Sequence, residues 1–133
     1  MKVRLLAIDK DIENYNRQSK YWLKYDVEPT LISSIQEGLE KISKEQNHIA
    51  IGINADSINY KPRLRILRDC TTSPIHIITS GYTIDELEET LLLGADSYSK
   101  WQTGLDESTR RGLAQFLRYG ERNSESENIH GGI

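Results

Sequence analysis

Apolar residues gather in five short runs along the chain, and between the runs they recur at the three-to-four-residue spacing of a helix face. Val3–Ile8 is a short apolar run that ends in charge at Asp9, which predicts a strand buried on both faces. Over residues 12–25 the period changes, and Ile12, Tyr15, Trp22 and Tyr25 mark one side of a helix. Residues 30–32, after Pro29, read as a second strand. Ser34 with Glu37 three positions on forms a capping-box pattern, ahead of an apolar stripe of Ile35, Leu39 and Ile42. Residues 48–53 form a third strand. Residues 62–68 form a short helix with its proline in the first turn, where a missing N–H breaks no bond. Residues 74–78 are a fourth strand. Thr83 and Glu86 repeat the capping box before a helix expected to bury Ile84, Leu87, Leu91 and Leu92. Gly94 closes that helix, residues 97–99 make a brief fifth strand, and Asp106 opens a last helix carrying Leu113, Phe116 and Leu117.

Strand and helix thus alternate five times. That order predicts an α/β fold, a five-stranded parallel sheet between two helical layers, the flavodoxin-like (βα)5 sandwich. In open sheets of this kind function sits beyond the carboxyl ends of the strands. Those ends are Asp9-Lys10-Asp11, Asn54-Ala55-Asp56, Thr79-Ser80 and Lys100-Trp101. Residues 121–133 are polar, rich in Ser, Glu and Asn, and include Gly131-Gly132. They lack the apolar content for a core and read as a flexible tail or linker after a folded unit of residues 1–120.

A length of 133 residues allows one well-buried core and is too short for two ordinary domains. The net charge of −3 argues against direct contact with nucleic acid, which needs a basic face to meet phosphates. The single cysteine, Cys70, excludes an intramolecular disulfide, fits a reducing cytosol and is expected half-buried at a helix end. The charged start Met1-Lys2-Val3-Arg4 is no signal peptide, and no apolar run approaches the roughly 20 residues of a membrane span, so a cytoplasmic place is expected. His48, His76 and His130 have no carboxylate or cysteine at ligand spacing, so no metal site is read from them. No phosphate-binding loop, dinucleotide fingerprint, nucleophile elbow or Cys-x-x-Cys is present, and no enzymatic activity is expected.

The run Gly94-Ala95-Asp96-Ser97-Tyr98-Ser99-Lys100-Trp101, taken with Thr79-Ser80 and Asp9-Lys10-Asp11, resembles the receiver domain of two-component response regulators over residues 2–119. In that family a Gly-Ala-Asp run opens the last strand, an aromatic follows, and a lysine comes three residues after it. A working receiver holds magnesium with two acidic residues after its first strand and takes the phosphoryl group on an Asp ending the third. A Thr or Ser after the fourth strand and the lysine after the fifth contact that group. Magnesium requires hard oxygen ligands, and transfer to a carboxylate needs its growing charge neutralised.

By position, the resemblance implies a degenerate phosphorylation site. Asp9 takes the first acidic place, Lys10 stands where the direct metal ligand is expected, and Asp11 follows at a place further from the metal. Asn54, with the shape of Asp but no nucleophilic carboxylate, stands at the phosphoacceptor place. Thr79 keeps the hydroxyl position, and Trp101 replaces the lysine. Lys10 either turns its ammonium toward Asp9 and Asn54 in place of a metal or points to solvent. Trp101 is expected to pack over the site or at an interface, and Thr79 and Tyr98 to keep a switching role. Two alternatives stay open: Asp56 as acceptor if the third strand runs longer, and Lys100 reaching the site if the last strand lacks a residue.

The expectation is a phosphorylation-independent receiver without metal or cofactor, most like the winged-helix transcriptional class. It would act by dimerisation or partner binding, with DNA bound only by an output domain beyond Ile133. A stand-alone adaptor for a kinase or other protein is the alternative, and a residual phosphoacceptor at Asp56 a third. The expected homodimer uses the fourth helix, fifth strand and fifth helix. There Asp85, Glu86, Glu88, Glu89 and Asp96 would meet Arg110, Arg111 and Arg118 of a second copy.

Overall fold

A computed structural model describes residues 3–45, 48–101 and 104–131, and their side chains except those of 105 and 120–131. The elements alternate as β1 (Val3–Ile8), α1 (Ile12–Lys24), β2 (Val27–Ile32), α2 (Ile35–Lys44), β3 (His48–Asn54), α3 (Lys61–Asp69), β4 (Ile75–Thr79), α4 (Ile84–Leu92), β5 (Ser97–Lys100) and α5 (Leu105–Gly131). The strands pair in parallel in the order β2-β1-β3-β4-β5. Chain order reverses direction between β1 and β3, so the ends of those two strands flank the crevice where such sheets carry their sites. No described helix is long and apolar enough to cross a membrane.

Local sequence accounts for most of the boundaries. Ser34 and Thr83 accept from the backbone N–H of Glu37 and Glu86 at 3.1 and 3.2 Å, as the capping boxes predict. Asp11 caps α1 in the same way through Asn14. β2 begins earlier than its apolar core indicates and includes Pro29, which an edge strand tolerates because one side of its ladder is unpaired. At Gly94 the backbone has φ +121°, and a Cβ there would lie 2.6 Å from the Arg68 side chain, so only glycine fits.

The core is lopsided. On one face Leu6, Ile8, Ile51, Ile53, Ile75 and Ile77 pack against Ile35, Ile42, Leu64 and Leu67. The opposite face has a smaller cluster of Leu5, Trp22, Val27, Ala50 and Phe116, with the Trp22 and Phe116 rings stacked at 5.5 Å.

Several sequence expectations need correction. Ile84, Leu91 and Leu92 are 75, 42 and 79% exposed, whereas α4 buries Thr90 completely and Leu87 in part. Ile84, Leu87, Leu91 and Leu92 would fit one wide apolar face, so helical spacing alone does not fix the rotation of α4. The helix is set by the Thr90 hydroxyl, which meets the Tyr60 hydroxyl at 2.7 Å. Ile12, in the first turn of α1, is likewise exposed, and Cys70 is exposed at the end of α3 rather than half-buried. α5 starts at Leu105 and does not stop near residue 120; its backbone stays helical to Gly131. Once packing of Phe116 has nucleated the helix, each further residue adds a hydrogen bond, and no proline interrupts the polar stretch.

Candidate functional site

Register places the end of β1 beside the end of β3, with Ile8 opposite Ile53, so Asp9 and Asn54 meet. Asp9 is only 5% exposed, a burial that a carboxylate sustains only with hydrogen-bond partners. Its Oδ1 accepts from the Asn54 side-chain amide at 3.0 Å, from the Ser57 hydroxyl at 2.8 Å and from the Asp11 backbone N–H at 2.8 Å. Its Oδ2 accepts from the Asn14 amide at 3.0 Å. Asn54 in turn accepts the Asp56 backbone N–H at 3.0 Å. One amide therefore fastens β1 to β3 on one side and orders the following turn on the other.

This donor set does not suit a divalent cation. Magnesium needs several oxygen ligands in octahedral array. Here a single buried carboxylate is already surrounded by N–H and O–H groups whose positive ends point at it. Among the described residues no group of three or more His, Cys, Asp or Glu side chains is placed to hold a metal ion.

Lys10 is corrected as well. Its side chain is exposed and lines a groove with Ser33, Ser34, Ile58 and Arg63, while its backbone N–H donates to the Ser57 hydroxyl at 3.0 Å. No described ion pair or hydrogen bond joins its ammonium to Asp9 or Asn54. Neutral donors already satisfy Asp9, so burying a hydrated ammonium there would add a desolvation cost without a vacant acceptor to offset it. Asp11 serves as helix cap rather than as a site ligand.

A second cluster lies across the crevice. β3 ends at Asn54, so Asp56 sits in the following turn and no longer strand carries it to the strand end. Its carboxylate nonetheless reaches the end of β4. It accepts from the Thr79 hydroxyl at 2.8 Å, from the Ser80 backbone N–H at 3.0 Å to each oxygen, and from the Ser80 hydroxyl at 3.2 Å. The Trp101 indole, whose one N–H can only donate, bonds the same carboxylate. Partial burial raises the Asp56 pKa, but the Ser80, Thr79 and Trp101 donors outweigh it and the net shift is downward.

Trp101 is held by its backbone N–H, which donates to the Thr79 carbonyl at 3.0 Å. It occupies the site edge where Lys100 was an alternative; the Lys100 ammonium lies instead 5.9 Å from the centre of the Tyr82 ring. Tyr98 is 8% exposed, with its ring 4.7 Å from Tyr82 and 6.5 Å from Tyr60. Burial, followed by the Tyr60 hydrogen bond, pushes the Tyr98 hydroxyl pKa well up.

The charged surface of α4, β5 and α5 is partly committed within the chain. Asp96 turns inward to Arg68 at 2.6 Å and accepts the Ile75 backbone N–H at 2.8 Å. Glu89 pairs with Lys61 at 3.1 Å and Arg111 with Glu107 at 3.0 Å. Asp85, Arg110 and Arg118 are exposed, and Glu86 is half-buried. Asp96 is thus removed from the surface acids, because its carboxylate ties the start of β5 to α3.

Sequence reasoning missed Asn14 and Ser57 as site residues, and gave Ser80 no role beyond its place at the end of β4. Their signal is weak, because short polar side chains beside strand ends ordinarily make turns. No family model matches the sequence, and no curated protein matches it significantly. Solved structures do. A receiver domain protein from Methanospirillum hungatei aligns with a TM-score of 0.77 at 14% identity, over 92% of this chain and 99% of that one. A two-component response regulator from Clostridium difficile aligns with a TM-score of 0.74 at 21% identity, over 88% and 97%. The receiver domain of NtrC4, solved as a beryllofluoride-activated dimer, aligns with a TM-score of 0.73 at 15% identity, over 90% and 98%. The chain therefore has the fold of the response-regulator receiver domains.

Proposed function

We propose that this chain is a phosphorylation-independent receiver domain of a transcriptional response regulator, acting through dimerisation or partner binding. The observation that carries the reading is the buried hydrogen bond from the Asn54 amide to Asp9 at 3.0 Å. It sits where the resemblance calls for a nucleophilic carboxylate and a metal. An amide nitrogen donates there without a cation and offers no nucleophile. An output domain of the winged-helix kind would follow the α5 extension, and this segment by itself would bind no DNA. A protein of this kind works in the cytoplasm.

Self-association is proposed through α4, β5 and α5. Exposed Ile84, Leu91 and Leu92 supply an apolar centre for it. Around them Asp85, Glu86 and Glu89 would face Arg110, Arg111 and Arg118 of the second copy. The dimeric state of the NtrC4 receiver domain supports this reading by analogy of fold alone.

The decisive experiment is incubation with acetyl phosphate and magnesium, followed by intact-mass measurement. No phosphoryl adduct is expected. An adduct mapped to Asp56 or any other residue would replace this reading with that of a residual phosphoacceptor.

A further inference from the structure

The donors that converge on Asp56 come from separate places in the fold. Thr79 stands at the end of β4, Ser80 begins the loop to α4, and Trp101 follows β5. The Thr79 hydroxyl and the Ser80 N–H and hydroxyl lie 2.8–3.2 Å from the Asp56 oxygens at the carboxyl edge of the sheet, and the Trp101 indole bonds the same carboxylate. All the donors are neutral and Thr79 is buried, so what the cluster lacks without Asp56 is negative charge. A concave set of backbone N–H and hydroxyl groups of this kind binds oxyanions.

We propose that Thr79, Ser80 and Trp101 form an oxyanion cradle whose resident anion is the chain's own Asp56 carboxylate. The carboxylate excludes a free tetrahedral oxyanion such as inorganic phosphate. Asp56 is held ready for this, because its backbone N–H is bonded to Asn54, the same amide that holds Asp9. The internal anion fastens the loops after β3, β4 and β5 to one another. The inference deepens the proposed function and rests on the reading that the site takes up no phosphoryl group.

Its test uses Asp56→Ala and Asp56→Asn in the full chain, with inorganic phosphate as probe and sodium chloride at matched ionic strength as control. Asp56→Ala is expected to melt several degrees below wild type and to recover saturably with phosphate, while wild type does not respond beyond the salt control. The Ser80 amide proton resonance should move upfield in Asp56→Ala and return downfield as phosphate binds. Should Asp56→Ala fail to fold, Asp56→Asn, which keeps the shape and one acceptor oxygen, is expected to lose part of the Ser80 downfield shift.

Equal phosphate binding by wild type and Asp56→Ala would overturn the proposal. So would an Asp56→Ala protein as stable as wild type and indifferent to phosphate, or an unchanged Ser80 resonance in both variants. The outcome is separate from the phosphodonor experiment. Phosphorylation of the wild type would sink the proposed function, while phosphate rescue of Asp56→Ala reads the cradle whatever the wild type does with a phosphodonor.

Discussion

At the scale of single residues the site sets a charge against a dipole. Asp9 is buried, and the group facing it at 3.0 Å is an amide rather than a second carboxylate. Replacing Asn54 with Asp would put two carboxylates together without a cation and remove a donor. Urea unfolding of Asn54→Asp at pH 7 should show a loss of about 1–3 kcal/mol, shrinking as acid protonates the pair. Added magnesium should restore little of it, because the other donors around Asp9 remain.

His76 gives a separate handle on pH. Burial depresses its pKa from 6.5 to about 4, so it is neutral in the folded protein. The unfolded chain takes up the proton first, so this contribution is full above pH 6.5 and is lost as pH falls toward 4. The whole effect is about 3 kcal/mol at most. Asp56, whose pKa is lowered, should lose its contribution only below the ordinary carboxylate pKa. A stability-versus-pH curve for His76→Gln should be flatter between pH 6.5 and 4 than that of wild type. The residual slope belongs in part to His48, whose pKa burial also lowers.

Among the elements, the capped helices and apolar strands follow directly from local spacing, whereas the rotation of α4 does not. Leu91 and Leu92 are both apolar, yet the helix turns to bury the hydroxyl of Thr90 against Tyr60. A pattern of hydrophobicity cannot see a hydrogen bond waiting on another element. The junction of α4 with β5 depends on Gly94 and on Arg68, which is pinned by Asp96 and by the Thr71 and Ser73 carbonyls. Arg68 cannot withdraw without breaking those bonds. Gly94→Ala should therefore destabilise the fold by about 1–3 kcal/mol, read as a lowered urea midpoint.

For the whole molecule the prediction concerns association. Exposed charge pairs are worth about 0.2–1 kcal/mol each, so an interface on this surface must draw its affinity from Ile84, Leu91 and Leu92. Sedimentation should show Leu92→Glu as monomer. Arg111→Glu should weaken association as well, and less strongly, because Arg111 already has Glu107 as a partner. Unchanged association in both variants would place the interface elsewhere.

The layered α/β architecture, the helix caps, the glycine that ends α4 and the absence of a nucleophilic carboxylate at residue 54 are all legible along the chain. Each of these depends on neighbours within a few positions, where periodicity and side-chain chemistry act directly. Which groups face Asp9, the outward turn of Lys10 and the landing of Asp56 on Thr79 and Ser80 emerge only from the folded arrangement. Those partners lie far apart along the chain, 45 residues from Asp9 to Asn54 and 23 from Asp56 to Thr79. Strand order and register bring them together, and the direction of each bond follows from which buried group still needs a partner.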